Sequence, residues 1–306
     1  MSSHRIFVTG ATGYVGSAIA ARLVRAGHEV TGLTRDLASV AALEAMGVKP
    51  VVGDLADAES WVGVLQNCDS AVHAAFDGST GASETDHHAL EAFRVAALDG
   101  RLRRVLYTSS IWVLGPGDGA VLDESAPTNP LELVQWRAAH EEIALELAAH
   151  EVATIILRPG MVYGGLRGVL GSWFAEAQHK RTITYPGDGS QHWAMVHRED
   201  VAEVYALALE DGVGGQRYLV CDESHCTVKQ LAEAAAAAAG ATAVSQPADE
   251  VVKSRGLFGK ALLCDVKTTS AKARRELGWV PRHTSFVNDA PALWREWTEA
   301  RAATVS

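Results

Sequence analysis

Cysteine is scarce in this chain: four residues in 306, at Cys68, Cys221, Cys226 and Cys264. They are too few and too scattered for a disulfide framework, and Cys221 and Cys226 flank Asp222-Glu-Ser-His225 without a matching second pair of metal ligands. Long apolar runs are missing too, and nothing approaches the roughly 20 uninterrupted residues needed to span a bilayer. Positive charge is short, with 27 Lys and Arg against 37 Asp and Glu and a formal net charge of -10. A polyanion such as nucleic acid therefore gains little from the overall field. Met1-Ser-Ser-His-Arg5 runs straight into a strand-like segment, so no signal peptide is expected and a cytoplasmic location is. What is present is an ordinary globular composition, 48% apolar and 21% charged, on a length that suits one large domain or two associated lobes. The expected partner is a small molecule, with neither nucleic acid nor membrane.

The first half alternates apolar runs with amphipathic stretches. Strands are expected at residues 5–9, 28–33, 48–52, 70–75, 104–108 and 154–158, and helices at 14–26, 37–46, 60–65 and 85–98. Continuous apolar strands alternating with helices predict an α/β fold, a Rossmann-type doubly wound parallel sheet covered on both faces. Residues 1–160 form the expected nucleotide-binding domain, with 194–222 returning to it. Residues 161–193 and 223–306 form a smaller C-terminal substrate lobe. Gly160, Gly164, Gly165, Gly168, Pro186, Gly187 and Gly189 cluster in a stretch that reads as loops. Residues 231–239 read as an Ala-rich helix and 267–278 as another.

The strongest motif is Gly10-Ala-Thr-Gly13-Tyr-Val-Gly16, placed between the first strand and the first helix. Gly10 permits a tight turn, Gly13 lets the backbone approach a pyrophosphate, and Gly16 lets helix pack closely on strand. The helix N-terminus adds unpaired N–H groups and positive dipole. Thr12, Tyr14 and Val15 complete the candidate cofactor-binding turn. At the end of the second strand, neutral Thr34 stands where an acid would bind the ribose hydroxyls of NAD, and Arg35 follows. An arginine there pairs with a 2′-phosphate and stacks on adenine, so NADP(H) is favoured over NAD(H). Asp36 beside it reads as a helix cap.

Val8-Thr-Gly-Ala-Thr-Gly-Tyr-Val-Gly16 resembles the opening of the extended short-chain dehydrogenase/reductases, the NAD-dependent epimerase/dehydratase family. Further segments are similar to it along nearly the whole chain: Gly53-Asp54-Leu55, His73-Ala74-Ala75, Tyr107-Thr108-Ser-Ser110 through Gly115, Leu157-Arg-Pro159-Gly160-Met-Val162-Tyr-Gly164, Gly187-Asp-Gly189, Val196 to Ala202, and Gly278-Trp-Val-Pro281. The resemblance implies that Asp54, Leu55, Ala74, Ala75, Thr108, Pro159, Gly160 and Val162 contact the cofactor. It puts the active-site hydroxyl on Ser110. Family members often dimerise through paired helices, and the fourth and fifth helices here are amphipathic enough for a homodimer.

One family feature is absent. A Tyr with a Lys four residues later usually handles the proton that accompanies hydride transfer, sharing a helix face. No Tyr-x-x-x-Lys lies between Ser110 and Arg158. Matching Pro130 and Glu141 to the flanking pattern places Leu133 at the Tyr position and Arg137 at the Lys position. A second register pairs Trp136 with His140 and loses both flanking matches. Leu133 handles no proton, whereas Arg137 stays charged and can hold ribose or phosphate. Three readings follow: an NADP(H)-dependent reductase of a small apolar carbonyl or conjugated compound, a cofactor-assisted isomerase or lyase, and an NADP(H)-binding sensor without turnover. Ser110, His140, His192, Tyr163 and Tyr185 are the candidate replacement acids, each also readable as structural. Phe76, Trp112 and Trp193 read as pocket wall or as core. No metal site is expected, since adjacent His87 and His88 after Asp86 point about 100° apart on a helix.

Overall fold

The computed structural model describes residues 3–76 and 81–305. Seven strands form one sheet: β1 (Arg5–Thr9), β2 (Glu29–Thr34), β3 (Lys49–Val52), β4 (Ser70–His73), β5 (Arg104–Thr108), β6 (Ala153–Pro159) and β7 (Arg217–Val220). Their order is β7-β6-β5-β4-β1-β2-β3, and every neighbouring pair is parallel. Parallel neighbours require crossover connections, so helices cover both faces and the strands are apolar on both sides. On one face the helices Gly16–Arg25 and Arg198–Asp211 bury Ile19, Leu23, Val201 and Tyr205 against Ile6, Val8 and Leu157. On the other, Ala82–Asp99 and Gln135–Glu146 bury Leu90, Phe93 and Ala144 against Phe7, Ala71 and Tyr107.

The strand order reverses between β1 and β4, and a crevice opens where the two crossovers diverge at the strands' carboxyl ends. Beside it sits a lobe whose separate core contains Trp173, Phe174, Leu231, Phe286 and Trp297. Its helices are Gly168–Lys180, Val228–Ala239, Ala248–Leu262 and Phe286–Val305. Strand Thr182–Pro186 pairs in parallel with Thr242–Gln246 at its edge. The Ala-rich helix begins with a capping box between Thr227 and Gln230, and its small buried face admits close helix neighbours. Among the described residues, no helix is long and apolar enough to cross a membrane.

Four local expectations change. Residues 37–46 form not one helix but a 3-10 turn, Leu37–Ser39, followed by the helix Val40–Ala45. Lys267–Thr268 is a strand paired with Val121–Leu122, and the helix begins only at Ala271. The glycine-rich stretch read as loops contains the helix Gly168–Lys180, whose apolar Leu170, Trp173, Phe174 and Ala177 bury at helical spacing. Flanking glycines hid that periodicity. Tyr163 and Tyr185, expected in loops, lie instead in the strands Met161–Tyr163 and Thr182–Pro186.

Candidate active site

The glycine turn is built by contact rather than by composition. Gly10 has φ +71°, and a Cβ there would sit 2.7 Å from the backbone of Ala75. A Cβ on Gly16 would lie 2.2 Å from the Gly10 carbonyl oxygen, so the helix can start at this height only without a side chain. The Gly13 N–H donates to the Gly10 carbonyl at 2.8 Å and closes the turn. Thr12, Gly13 and Val15 stay partly exposed at the helix mouth. Tyr14 ties this turn to the segment after β6: its hydroxyl donates to the Gly164 carbonyl at 2.7 Å, and the Arg198 guanidinium lies 5.4 Å from its ring centre. Burial raises the Tyr14 pKa against the opposing pull of Arg198, which keeps the phenol a neutral donor.

At the end of β2, Thr34 is buried and its hydroxyl oxygen accepts from the Asp36 N–H at 3.2 Å. Asp36 in turn accepts from the Ala38 N–H at 2.9 Å and caps the 3-10 turn. Arg35 is exposed, with no hydrogen bond or ion pair to any described residue. Asp54 closes a turn by accepting from the Ala56 N–H at 3.0 Å, while Leu55 packs at the edge of the core near Trp61.

Thr108 ends β5 and Ser110 follows it, and Arg137 reaches this strand end from the helix Gln135–Glu146. Ser110 Oγ accepts from the Trp112 N–H at 3.2 Å, capping the turn Ile111–Val113, and its own proton has no acceptor among the described residues. Arg137 Nη1 donates to the Thr108 carbonyl at 2.7 Å, and the Tyr205 hydroxyl donates to Thr108 Oγ1 at 2.6 Å. The Arg137 side chain is 5% exposed, its guanidinium 4.6 Å from the Trp136 ring centre and 5.0 Å from that of Phe76. Arg137 thus lies beside Ser110's strand. Leu133 is half-buried in a 3-10 turn, packed on an apolar cluster with Trp112 and Leu131.

His140 does not reach that site. Its Nδ1 donates to Asp86 Oδ2 at 2.8 Å, inside a buried network. The Tyr107 hydroxyl donates to the same carboxylate at 2.8 Å, and His73 Nε2 donates to Oδ1 at 3.0 Å. In its neutral form His73 then accepts the Thr9 hydroxyl at Nδ1, 2.7 Å away, while Thr9 Oγ1 accepts from the Ala75 N–H at 3.4 Å. The network therefore underpins the backbone of Ala74 and Ala75, against which the glycine turn packs. Sequence reasoning weighed Asp86 only as a metal ligand and missed this role. A lone acid on a buried helix face was the available signal.

The remaining candidates separate. Tyr163 is fully buried, its ring edge-on to His197 and Phe286, and burial drives its pKa far up. Tyr185 is buried in the lobe core. His192 Nδ1 donates to Asp265 at 2.7 Å. Trp193 is core: it stacks on Trp173 and its Nε1 donates to the Leu262 carbonyl at 3.0 Å. Phe76 lines a cleft of about 1030 Å³ that starts at Tyr14 and Val15 and continues along Met161, Val162 and the helix Gly168–Lys180. Trp112 touches that cleft through Phe258. Pro159 ends β6 and Gly160 fits where a Cβ would meet the Ala194 carbonyl at 2.2 Å. His197, Glu199 and His283 bring potential ligand atoms within 4.8 Å of one another. Both imidazoles already use Nδ1, His197 accepting from the Glu199 N–H and His283 donating to Asp289.

A strand, a glycine turn and a helix N-terminus at the reversal of a parallel sheet make a dinucleotide-binding architecture of the Rossmann class. The chain belongs to the NAD dependent epimerase/dehydratase family, whose sequence profile matches residues 6–221. It is 32% identical over 293 residues to an uncharacterized protein of Schizosaccharomyces pombe, covering 93% of this chain and 97% of that one. It is 27% identical to a 4-hydroxy-2-methyl-3-oxo-4-farnesyl-3,4-dihydroquinoline-1-oxide ketoreductase of Stigmatella aurantiaca, over 71% of this chain and 68% of the relative. Its fold is shared with a dTDP-glucose 4,6-dehydratase of Streptomyces venezuelae solved with NAD bound, at TM-score 0.82 and 23% identity over 98% of both chains. The named relatives include that ketoreductase and that dehydratase, and the family is described by epimerase and dehydratase activity.

Proposed function

We propose that the protein is an NADP(H)-dependent oxidoreductase acting on an apolar carbonyl or conjugated compound. The observation that carries this reading is the largely apolar cleft lined by Tyr14 and Val15 of the glycine turn together with Phe76, Met161 and Val162. The residues fit a dinucleotide: Gly10 lets the turn close on the Ala75 backbone, Gly16 lets the helix start against the Gly10 carbonyl, and the partly exposed N-terminus of the Gly16–Arg25 helix can meet a pyrophosphate. Arg35, exposed and without a side-chain partner among the described residues, would hold a 2′-phosphate. A bound nicotinamide would supply or accept the hydride.

The chain's own residues do the rest. Ser110 already accepts from the Trp112 N–H, so its hydroxyl is left to donate to a substrate oxygen. Arg137 cannot serve as the acid, but its fixed charge lowers the cost of negative charge on that oxygen. Its link to the Thr108 carbonyl holds it in place. With leucine where the phenol usually stands, water is left to replace the proton. Apolar walls suit a carbonyl compound better than a sugar, and the Stigmatella relative is a ketoreductase of a farnesylated compound.

The test is loss of NADPH absorbance across a panel of ketones, aldehydes and enones, with titrations of both cofactors. Substrate-dependent oxidation supports the enzyme. Stoichiometric NADPH binding with no oxidation of any compound supports the sensor reading, which Leu133 favours.

A further inference from the structure

We infer that the cleft selects an elongated apolar carbonyl compound that also carries a carboxylate, and that Arg255 is the residue that recognises it. This rests on the cleft being the substrate site. The helix Gly168–Lys180 runs along the cleft wall, and its thirteen residues at 1.5 Å each give a wall of roughly 20 Å. Its first turn sits on the dinucleotide turn: a Cβ on Gly168 would lie 3.1 Å from the Tyr14 ring. Polarity changes along that wall. Val169 and Trp173 face the cleft near the start, whereas Glu176, His179 and Lys180 face it at the end.

The one lining acid is already satisfied. Glu176 accepts from the Thr184 N–H at 2.9 Å and from the Thr184 hydroxyl at 2.7 Å, with Lys180 3.8 Å away. Arg255 is different: it lines the same cleft, is exposed, and has no ion pair among the described residues. In a chain of net charge -10, an arginine without an ion pair among the described residues, at the polar end of a largely apolar cleft, is a recognition element for an anion. Its planar fork suits a carboxylate, which it can hold through two parallel hydrogen bonds. Gly256 follows with φ 57° and ψ -133°, breaking the Ala248–Leu262 helix directly after Arg255. Only glycine tolerates that conformation, so the break is a built feature that sets where Arg255 and Phe258 stand. Phe258 then packs edge-on to Trp112, two residues from Ser110, which ties the recognition segment to the reacting end.

The experiment is calorimetric titration of the NADPH-loaded protein with a methyl ketone of about sixteen carbons ending in a carboxylate, and with its methyl ester, a length matched to the roughly 20 Å wall. The wild-type protein is expected to bind the acid roughly fivefold more tightly, the advantage narrowing as salt rises. Arg255→Gln, an exposed change that keeps Gly256, should bring that ratio to about one and leave the ester's affinity unchanged. Equal affinities in the wild type, a ratio that survives Arg255→Gln, or no binding of either compound overturns the inference. NADPH oxidation is read in parallel. Selective binding without oxidation sinks the reductase reading and leaves anion recognition standing, whereas equal turnover of acid and ester does the reverse.

Discussion

Replacing Asp86 by alanine takes the shared acceptor out of a network with almost no access to water. The side chain is 4% exposed and accepts from Tyr107 at 2.8 Å, His140 at 2.8 Å and His73 at 3.0 Å. Each donor left buried without a partner costs about 1–3 kcal/mol. Removing the buried charge returns part of its desolvation penalty, so the net loss expected is about 3–5 kcal/mol. Asp86→Asn should cost less, about 1–3 kcal/mol, because an amide oxygen still accepts while its NH2 faces donors. Urea unfolding followed by tryptophan fluorescence reads both numbers, with an unchanged slope confirming two-state behaviour.

The same pair of proteins tests the charge. Burial pushes the Asp86 pKa up, but His73, His140 and Arg137 pull it down further, to well below the ordinary carboxylate range. A depressed pKa stabilises the fold at pH above the unfolded value of about 3.9, and the gain is lost as pH falls through the folded value. The difference between wild type and Asp86→Asn should therefore be flat above about pH 5 and shrink below about pH 4. Cofactor affinity should fall in the folded variants, since His73 and Thr9 support Ala75. An Asp86→Ala loss within about 0.5 kcal/mol, or a difference that does not shrink in acid, would refute the ionised-network argument.

Arg35→Ser should weaken NADPH binding about tenfold and leave NADH unchanged, as one exposed charge-assisted contact is worth about 1–2 kcal/mol. Tighter binding of NADH than NADPH by the wild type would end the cofactor preference. His197 is pulled down to about 3 by burial and by His283 3.7 Å away, so it stays neutral in the fold. The unfolded chain binds the extra proton between about pH 3 and 6.5, so this contribution is complete above 6.5 and is lost as pH falls toward 3. It amounts to at most about 5 kcal/mol, and His197→Gln should flatten that part of the stability profile. Leu133→Tyr with Arg137→Lys should fold, because Leu133 is only half-buried, and should create or raise carbonyl reduction. Gross destabilisation in a thermal melt would show that the Leu133–Arg137 register is wrong.

Some of this was legible because the information is local. The glycine turn, its flanking strand and helix, and the run of parallel strands each rest on contiguous residues, and the structure pairs those six segments in one parallel sheet, to which Arg217–Val220 adds a seventh strand. Thr34 and Arg35 were readable for the same reason, standing at one strand end. The helix Gly168–Lys180 was lost because the glycines around it outweighed its apolar spacing. Trp193 was ambiguous because an aromatic residue looks alike in a core and in a pocket wall; only its neighbour Trp173 decides.

The sequence by itself determined the class of fold, the family, the glycine turn and the absence of any Tyr-x-x-x-Lys between Ser110 and Arg158. Those properties depend on residue identity and short-range spacing. The tertiary structure alone decided that His140 serves Asp86 rather than the reacting carbon, that Arg137 lies against Thr108, and that one cleft joins Tyr14 to Arg255. Asp86 meets partners 13, 21 and 54 residues away, and such meetings are set by how helices pack across the sheet. Packing is a property of all the buried faces together, so no stretch of chain specifies it alone.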